Sequence, residues 1–201
     1  MDIAVGRDTN KVWLYMGTGD YEDPNNTEPG IDNLLLGIKD PMRNWRYKDM
    51  NSPKDLDQCK VIGSATTDCP DSSDAGWRVH LPNNQKVTAE PTIFQGNVYF
   101  PIYEPNADNP CSVGAAFICS ADDECGTNNS AQIGSGVGNP ADFADHDCHF
   151  AGFGILSEIV VFAGKLFANI AGLSEGKTTL VIKMAAPGEV DSYRRSWKEN
   201  F

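Results

Sequence analysis

The sequence predicts an all-β fold, on the strength of three observations. The 201 residues include 19 Gly and 12 Pro, a share typical of turn-rich β proteins rather than helix bundles. Short runs of β-branched and aromatic residues alternate with polar turns along the chain. A hairpin-like pattern also occurs twice, and prolines exclude a helix from its first copy.

The strands outside this repeat are bounded by turn residues. Gly-Thr-Gly-Asp follows the first strand, Asp-Pro the second and Pro-Asn-Asn the third, and all of these residues favour turns. These predicted strands are residues 11–17, 34–38, 77–81, 178–183 and 192–197.

The repeat relates residues 87–103 to residues 155–171 at a constant offset of 68 positions. Both copies place a Glu, a Phe, a Gly and a later aromatic residue at matching positions. Pro91 does not fit inside a helix, so the first copy is extended, and the second copy is expected to match it. Each copy is therefore predicted to be an antiparallel hairpin with its turn at Gly96 or Gly164, since glycine tolerates a positive φ.

Residues 151–173 have the length of a membrane-spanning helix. Glu158 and Lys165 would each cost about 2.5–3.5 kcal/mol near the bilayer centre. Four glycines also interrupt the stretch. It is therefore predicted to form two strands around residues 163–165 rather than a membrane span.

Repeated hairpins that bury no face alone are typical of propellers. The chain offers about ten to twelve strands, enough for about three four-stranded blades, whereas closed propellers usually have four to eight blades. The sequence thus predicts a partial β-propeller, one domain over residues 1–201, with a loop insertion at about 119–150.

The charge excludes one class of partner. Lys and Arg number 16 against 28 Asp and Glu, so the net charge is −12. Such a chain repels phosphate backbones, so no nucleic-acid partner is expected, and anionic lipid surfaces are disfavoured for the same reason. The same charge favours a different protein partner over self-association.

Six cysteines indicate disulfides in an oxidising compartment, because no CxxC or adjacent pair suggests a metal or redox site. Fifteen pairings are open, and Cys59 with Cys69 is the first choice because it closes a short loop. The first residues carry no export signal, so the chain is expected to be a piece of a longer exported protein or to lack its signal. The six predicted disulfide residues are Cys59, Cys69, Cys111, Cys119, Cys125 and Cys148.

Several motifs, in order, resemble the carboxy-terminal β-propeller of the PilY family. The first strand resembles that family's "Y-x-G-T-G" strand, and the chain ends in a pattern similar to "R-x-x-S-W-R-E". Three features depart from the family: the length is too short for a whole propeller, the family's amino-terminal region is absent, and there is no D-x-D-x-D-G calcium loop. The matching patches are residues 12–19, 36–40, 76–81, 90–100, 105–112, 125–128 and 193–199.

The resemblance implies a function at the cell surface. PilY proteins cap bacterial type IV pili and help to assemble them, so the expected roles are pilus-tip adhesin and assembly factor. The implied partners are pilin subunits, a host or solid surface, and the remainder of the propeller or a complementary chain. The implied location is extracellular, on the pilus.

The candidate metal sites are weak. A cluster of oxygen ligands follows the first strand and makes a calcium site conceivable, although no cofactor is expected. The acidic loop at Asp68, Asp71 and Asp74 lacks the alternating ligands of a calcium loop, and residues 146–149 are interpreted as a polar loop whose Cys148 forms a disulfide. The calcium candidates are Asp20, Glu22, Asp23 and Asn25.

No catalytic motif is present, since the sequence contains neither GxSxG nor HExxH. The chain is therefore predicted not to be an enzyme. One alternative is the remnant of a quinoprotein-like propeller dehydrogenase, although the adjacent Cys-Cys pair common in those enzymes is missing. Another is a small secreted β module that binds calcium or carbohydrate.

Overall fold

The computed structural model describes residues 1–19, 23–27, 30, 33–40, 54–55, 69–70, 74–81, 84–106, 109, 111–127, 133, 148–171 and 179–183. Within these residues fourteen β-strands form three sheets, and there is no α-helix. The predicted all-β class is confirmed. No helix in the described part of the chain is long and apolar enough to cross a membrane, and residues 151–171 form strands as predicted.

The first sheet, blade 1, has the strand order β1-β2-β3-β5-β4. Its strands pair antiparallel except β4, which runs parallel to β5. On β2 and β3 every second residue is buried, because one face of this sheet packs on the next blade. The strands are β1 (Asp2–Val5), β2 (Val12–Gly17), β3 (Asn33–Lys39), β4 (Lys54–Asp55) and β5 (Gly76–Leu81).

The second sheet, blade 2, is built around β8. One side of β8 pairs with β9, which pairs in turn with β10, and the other side pairs first with β7 and then with β6. All of β8 and most of β9 are buried, because this sheet is covered on both faces. The strands are β6 (Lys86–Val87), β7 (Thr92–Phe94), β8 (Asn97–Glu104), β9 (Ala115–Asp122) and β10 (His149–Phe153).

The third sheet, blade 3, repeats this arrangement around β13. One side of β13 pairs with β14, and the other side pairs with β12 and then with β11. In both blades, therefore, two short strands follow each other along one side of the central strand, β7 and β6 beside β8 and β12 and β11 beside β13. The strands are β11 (Ile155–Leu156), β12 (Val160–Phe162), β13 (Lys165–Ala171) and β14 (Thr179–Lys183).

The predicted repeat is confirmed in register and in turn geometry. Thr92 pairs with Tyr99 and Val160 with Phe167, so both members of the pair are displaced by the same 68 positions. The turn of the first hairpin has positive φ at both central residues, 57° at Gln95 and 74° at Gly96. The second turn matches it, with 49° and 69° at residues 163 and 164. Two positive φ angles are typical of the type I′ turn, whose twist suits a two-residue hairpin.

Two apolar clusters hold the blades together. Between blades 1 and 2, the rings of Trp13, Tyr15 and Trp77 pack against β8 and β9. Between blades 2 and 3, Tyr99 and Ile118 pack against Leu156, Ile159 and Leu166. In the part of the chain that is described, the three sheets thus stack in sequence order and confirm the partial propeller.

The predicted pairing of Cys59 with Cys69 is wrong. Cys69 bonds to Cys125, with the two Cα atoms 4.6 Å apart, and a second disulfide joins Cys119 to Cys148. The choice of a short loop failed because blade packing brings together residues separated by 56 positions. Cys111 is exposed and forms no disulfide in the described structure, so the expectation of oxidised cysteines holds for four of the six. Cys59 lies outside the described residues.

Two other predictions, the loop insertion and the last strand, concern residues that are mostly outside the described part of the chain. The proposed insertion at about 119–150 begins later than expected, because β9 continues to Asp122. Most of the remaining insertion, and the predicted strand at 192–197, lie outside the described residues.

Candidate functional site

The predicted calcium cluster is only partly described. Asp20 and Glu22 lie outside the described residues. The ammonium of Lys86, a residue only 2% exposed, donates to the backbone carbonyl of Asp23 at 2.6 Å. The Tyr103 hydroxyl donates to Oδ1 of Asn25 at 2.7 Å. The backbone carbonyl of Asp23 and the side-chain oxygen of Asn25 are therefore already hydrogen-bonded to donors of the protein itself.

The other candidate metal ligands are also only partly described. Cys148 is in a disulfide, as the sequence suggested, and His149 begins β10. Asp74 is described, whereas Asp68 and Asp71 are not. Across the described ranges, no group of three or more His, Cys, Asp or Glu side chains is placed to hold a metal ion.

An acidic turn after β9 joins blade 1 to blade 2. The Glu124 carboxylate accepts from the backbone N–H groups of Asp8 and Thr9, at 2.7 and 2.9 Å. The Trp77 indole donates to the backbone carbonyl of Asp123 at 3.0 Å. Cys125, in the same turn, forms the disulfide to Cys69. The turn is therefore held to blade 1 by carboxylate–backbone hydrogen bonds, by an indole–backbone hydrogen bond and by a disulfide, and no sequence motif indicated these contacts.

Burial makes this turn sensitive to pH. Desolvation, together with the neighbouring carboxylates of Asp122 and Glu124, raises the pKa of Asp123 to about 6, against smaller lowerings by the Glu124 N–H and by Arg7. Desolvation also raises the pKa of Asp122, although the N–H groups of Cys125 and Glu124 oppose that shift. The Tyr15 hydroxyl is buried nearby, and burial raises the pKa of this phenol far above its usual range. A run of three acidic residues in a sequence does not show whether its side chains are buried. These raised pKa values could therefore be recognised only from the fold.

A polar network fills the opposite end of the same interface. The Asn33 amide donates to the carbonyl of Gln85 at 2.8 Å, and the Gln85 amide donates to Glu104 at 2.7 Å. All three of these residues are buried. Since each buried polar group here has a partner, the network fixes the relative position of blades 1 and 2.

The interface between blades 2 and 3 is formed by the two copies of the repeat. The Thr88 hydroxyl donates to the carbonyl of Leu156 at 3.1 Å, and the Thr92 hydroxyl donates to that of Ile159 at 2.5 Å. An open cleft of about 540 Å³ lies beside these bonds. Glu158 is the one ionisable residue in its lining among the described residues.

Apolar side chains are concentrated on the two outer faces of the stack. The outer face of blade 3 carries Phe162, 70% exposed, and Val160, 52% exposed. The outer face of blade 1 is apolar along β1, β2 and β3, where antiparallel pairing aligns its side chains in rows. Its apolar residues are Ile3, Val5 and Val12, which are exposed, and Leu14, Met16, Leu34, Leu36 and Ile38, which are half-buried. These faces are the strongest candidates for a functional surface, because an antiparallel sheet normally exposes polar residues to water.

Comparison with known proteins identifies the fold. No family model and no curated protein matches the sequence. The crystal structure of the C-terminal domain of PilY1 from Pseudomonas aeruginosa is similar over 92% of this chain, with a TM-score of 0.50 and 11% sequence identity. The chain spans 44% of the length of that solved domain. The chain therefore has the fold of part of the PilY1 C-terminal domain, in agreement with the resemblance seen in its sequence.

Proposed function

We propose that the chain is a non-enzymatic component of a type IV pilus, in which the propeller is a rigid scaffold. The observation that supports this most directly is the fold, which matches a PilY1 domain over 92% of the chain. Fold alone does not determine function, so the step to the pilus rests on the resemblance in sequence motifs together with the fold. In this proposal the chain contacts pilin subunits and a host or solid surface.

The proposed location is extracellular. Two disulfides, Cys69–Cys125 and Cys119–Cys148, fasten blade 2 and would be unusual in a reducing cytoplasm. The proposal assigns no catalytic residue and no cofactor to the chain, in keeping with the absence of catalytic motifs from the sequence.

The experiment is deletion of the gene in its native bacterium, followed by electron microscopy of surface pili and a surface-attachment assay. Loss of pili would support an assembly role, whereas normal pili with poor attachment would support a tip adhesin. Complementation with the wild-type gene is the control for polar effects. A deletion strain with normal pili and normal attachment would refute the proposal, as would recovery of the protein only from the cytoplasm.

A further inference from the structure

We propose that the cleft between blades 2 and 3 binds a primary alkylammonium group, and that its occupant is a lysine side chain of a protein partner. The cleft is open and has a volume of about 540 Å³, within the range of about 300–1,000 Å³ that is common for ligand sites. Its lining combines one carboxylate, that of Glu158, with several apolar side chains. This inference does not depend on the pilus role.

The backbone on both sides of Glu158 is held in place. Glu158 lies in the gap between β11 and β12. On one side of it, the Ser157 N–H donates to the Asn169 carbonyl at 2.8 Å, and the Asn169 N–H donates to the Ser157 hydroxyl at 3.0 Å. On the other side, Ile159 is 1% exposed in the apolar cluster between the blades. Glu158 is therefore fixed between two anchored neighbours, so little backbone freedom is lost when its carboxylate binds a ligand.

The hydrogen bonds of the lining favour a cation as the ligand. The lining contains two hydroxyl groups, and both donate within the protein, Thr88 to the Leu156 carbonyl and Ser157 to the Glu158 carbonyl. The carboxylate of Glu158 is exposed and has no partner among the described residues. The strongest acceptor that the cleft offers to a ligand is therefore an anion, which bonds best to a positively charged N–H donor.

The apolar part of the lining suits the stem of a lysine. Five of the nine lining residues are aliphatic, and lysine packs its methylene groups on such surface while its ammonium reaches a polar group. The described lining contains no aromatic ring, so it does not offer the stacking that arginine favours. The aliphatic residues are Ala89, Ile155, Leu156, Ile170 and Ala171.

The charge of the whole chain favours the same class of occupant. A net charge of −12 attracts cationic groups and repels anionic ones. Since salt screens this attraction, binding at the exposed Glu158 should weaken as sodium chloride is raised. The occupant is therefore expected on a basic or neutral surface of the partner rather than on an acidic one.

The repeat supplies a matched control position. A shift of 68 residues takes Glu90 of blade 2 to Glu158 of blade 3, and both residues are exposed. Glu90 does not belong to the lining of the cleft. Glu90→Gln therefore removes the same charge from the same position of the repeat and leaves the cleft unchanged. Comparison with Glu158→Gln separates binding in the cleft from general attraction to an acidic chain.

The test is an NMR titration of the whole isotope-labelled chain with N-acetyl-lysine amide. We expect saturable shifts of the backbone amides of Ser157, Glu158 and Asn169, with a Kd of about 1 mM, because so small a ligand gains limited affinity. N-acetyl-norleucine amide has the same four-carbon stem without the ammonium, and it should bind at least about tenfold more weakly. Equal binding of the two probes would overturn the proposal, and this comparison needs no variant.

Three variants locate the bound lysine. Glu158→Gln should weaken binding at least about tenfold, whereas Glu90→Gln should change it less than about twofold. Ala171→Phe keeps the carboxylate and fills the apolar part of the cleft, so it should also weaken binding; Ala171 is exposed, and thermal unfolding checks that each variant is folded.

Two results with these variants would overturn the proposal. Equal losses for Glu158→Gln and Glu90→Gln would reduce the binding to general attraction, and full affinity in Ala171→Phe would place the lysine outside the cleft. A third result would overturn the choice of occupant, namely tighter binding of butylamine than of N-acetyl-lysine amide, because the cleft would then prefer a free amine to a lysine side chain.

Discussion

The Thr92 hydroxyl donates a hydrogen bond to the backbone carbonyl of Ile159 across the interface between blades 2 and 3. The two oxygen atoms are 2.5 Å apart. Thr92 is 2% exposed, and its counterpart in the repeat is Val160, the neighbour of Ile159. The two copies of the repeat therefore contact each other directly, and the first copy uses a residue that the second lacks.

Replacing Thr92 with valine, the residue found at position 160, should destabilise the chain by about 1–3 kcal/mol, because the buried carbonyl of Ile159 loses its donor. Urea denaturation at low protein concentration measures this change. The matched control is Val160→Thr, which changes an exposed side chain and should alter stability by less than about 0.5 kcal/mol. Equal effects of the two substitutions would contradict this account of the interface.

Tyr15→Phe should stabilise the chain or leave it unchanged. The Tyr15 hydroxyl is buried and has no hydrogen-bond partner among the described residues, so its removal relieves an unsatisfied polar group. Tyr103→Phe is the comparison, because the Tyr103 hydroxyl donates to Asn25 and accepts from the N–H of Gly114. It should cost about 1–3 kcal/mol. A melting temperature that falls further for Tyr15→Phe than for Tyr103→Phe would show that the Tyr15 hydroxyl has a partner.

The strands and hairpins were predictable because their signals are local. Pro91 excludes a helix by its own geometry, and Gly96 and Gly164 mark turns that need a positive φ, so the repeat and its register followed from the sequence. Disulfide pairing was not predictable in this way, because Cys69 and Cys125 meet only after blades 1 and 2 have packed.

The candidate site depended on burial, which a sequence does not reveal directly. Residues 122–124 fall within the loop insertion predicted from the sequence, yet Asp123 is only 6% exposed and its backbone carbonyl accepts a hydrogen bond from the Trp77 indole. Lysine is usually exposed, yet Lys86 is only 2% exposed and donates a hydrogen bond to the backbone carbonyl of Asp23. Phenylalanine is usually buried, yet Phe162 is 70% exposed.

The chain should lose stability as the pH rises from about 4 to about 6. The pKa of Asp123 is raised from an ordinary value near 3.8 to about 6, so the folded state binds a proton that the unfolded state has already released in this range. Ionisation of Asp123 therefore weakens the folded state, and the loss is complete above the raised pKa. Burial shifts the pKa of Asp122 in the same direction and adds to the slope.

Asp123→Asn tests this assignment, because the amide keeps the backbone carbonyl that accepts from Trp77 while removing the charge. Thermal unfolding between pH 4 and pH 7 should give a flatter profile for the variant, with a higher melting temperature than the wild type at pH 7. A variant as steeply pH-dependent as the wild type would assign the titration to another group.

Lys86→Met should destabilise the chain by about 1.5–3 kcal/mol, because a buried charge-assisted hydrogen bond to the Asp23 carbonyl is lost. The methionine keeps most of the side-chain volume, so the change reports on the bond rather than on a cavity. The wild-type melting temperature should not change on adding calcium or a chelator, since the positive charge of Lys86, which lies against the Asp23 carbonyl, repels a second cation there. Stabilisation of the wild type by calcium would refute this interpretation of the cluster around Asp23.

The thiol of Cys111 should react with maleimide in the native, unreduced protein. Cys111 is exposed and unpaired in the described structure, whereas the other described cysteines form two disulfides that block their sulfur atoms. Peptide mapping by mass spectrometry after labelling should find the label on Cys111, together with a peptide that links Cys69 to Cys125. Reduction under denaturing conditions before labelling is the control, and it should add label at Cys69, Cys125, Cys119 and Cys148. A disulfide-linked peptide that joins Cys59 to Cys69 would restore the short-loop pairing, and the covalent bond between blades 1 and 2 would then be absent.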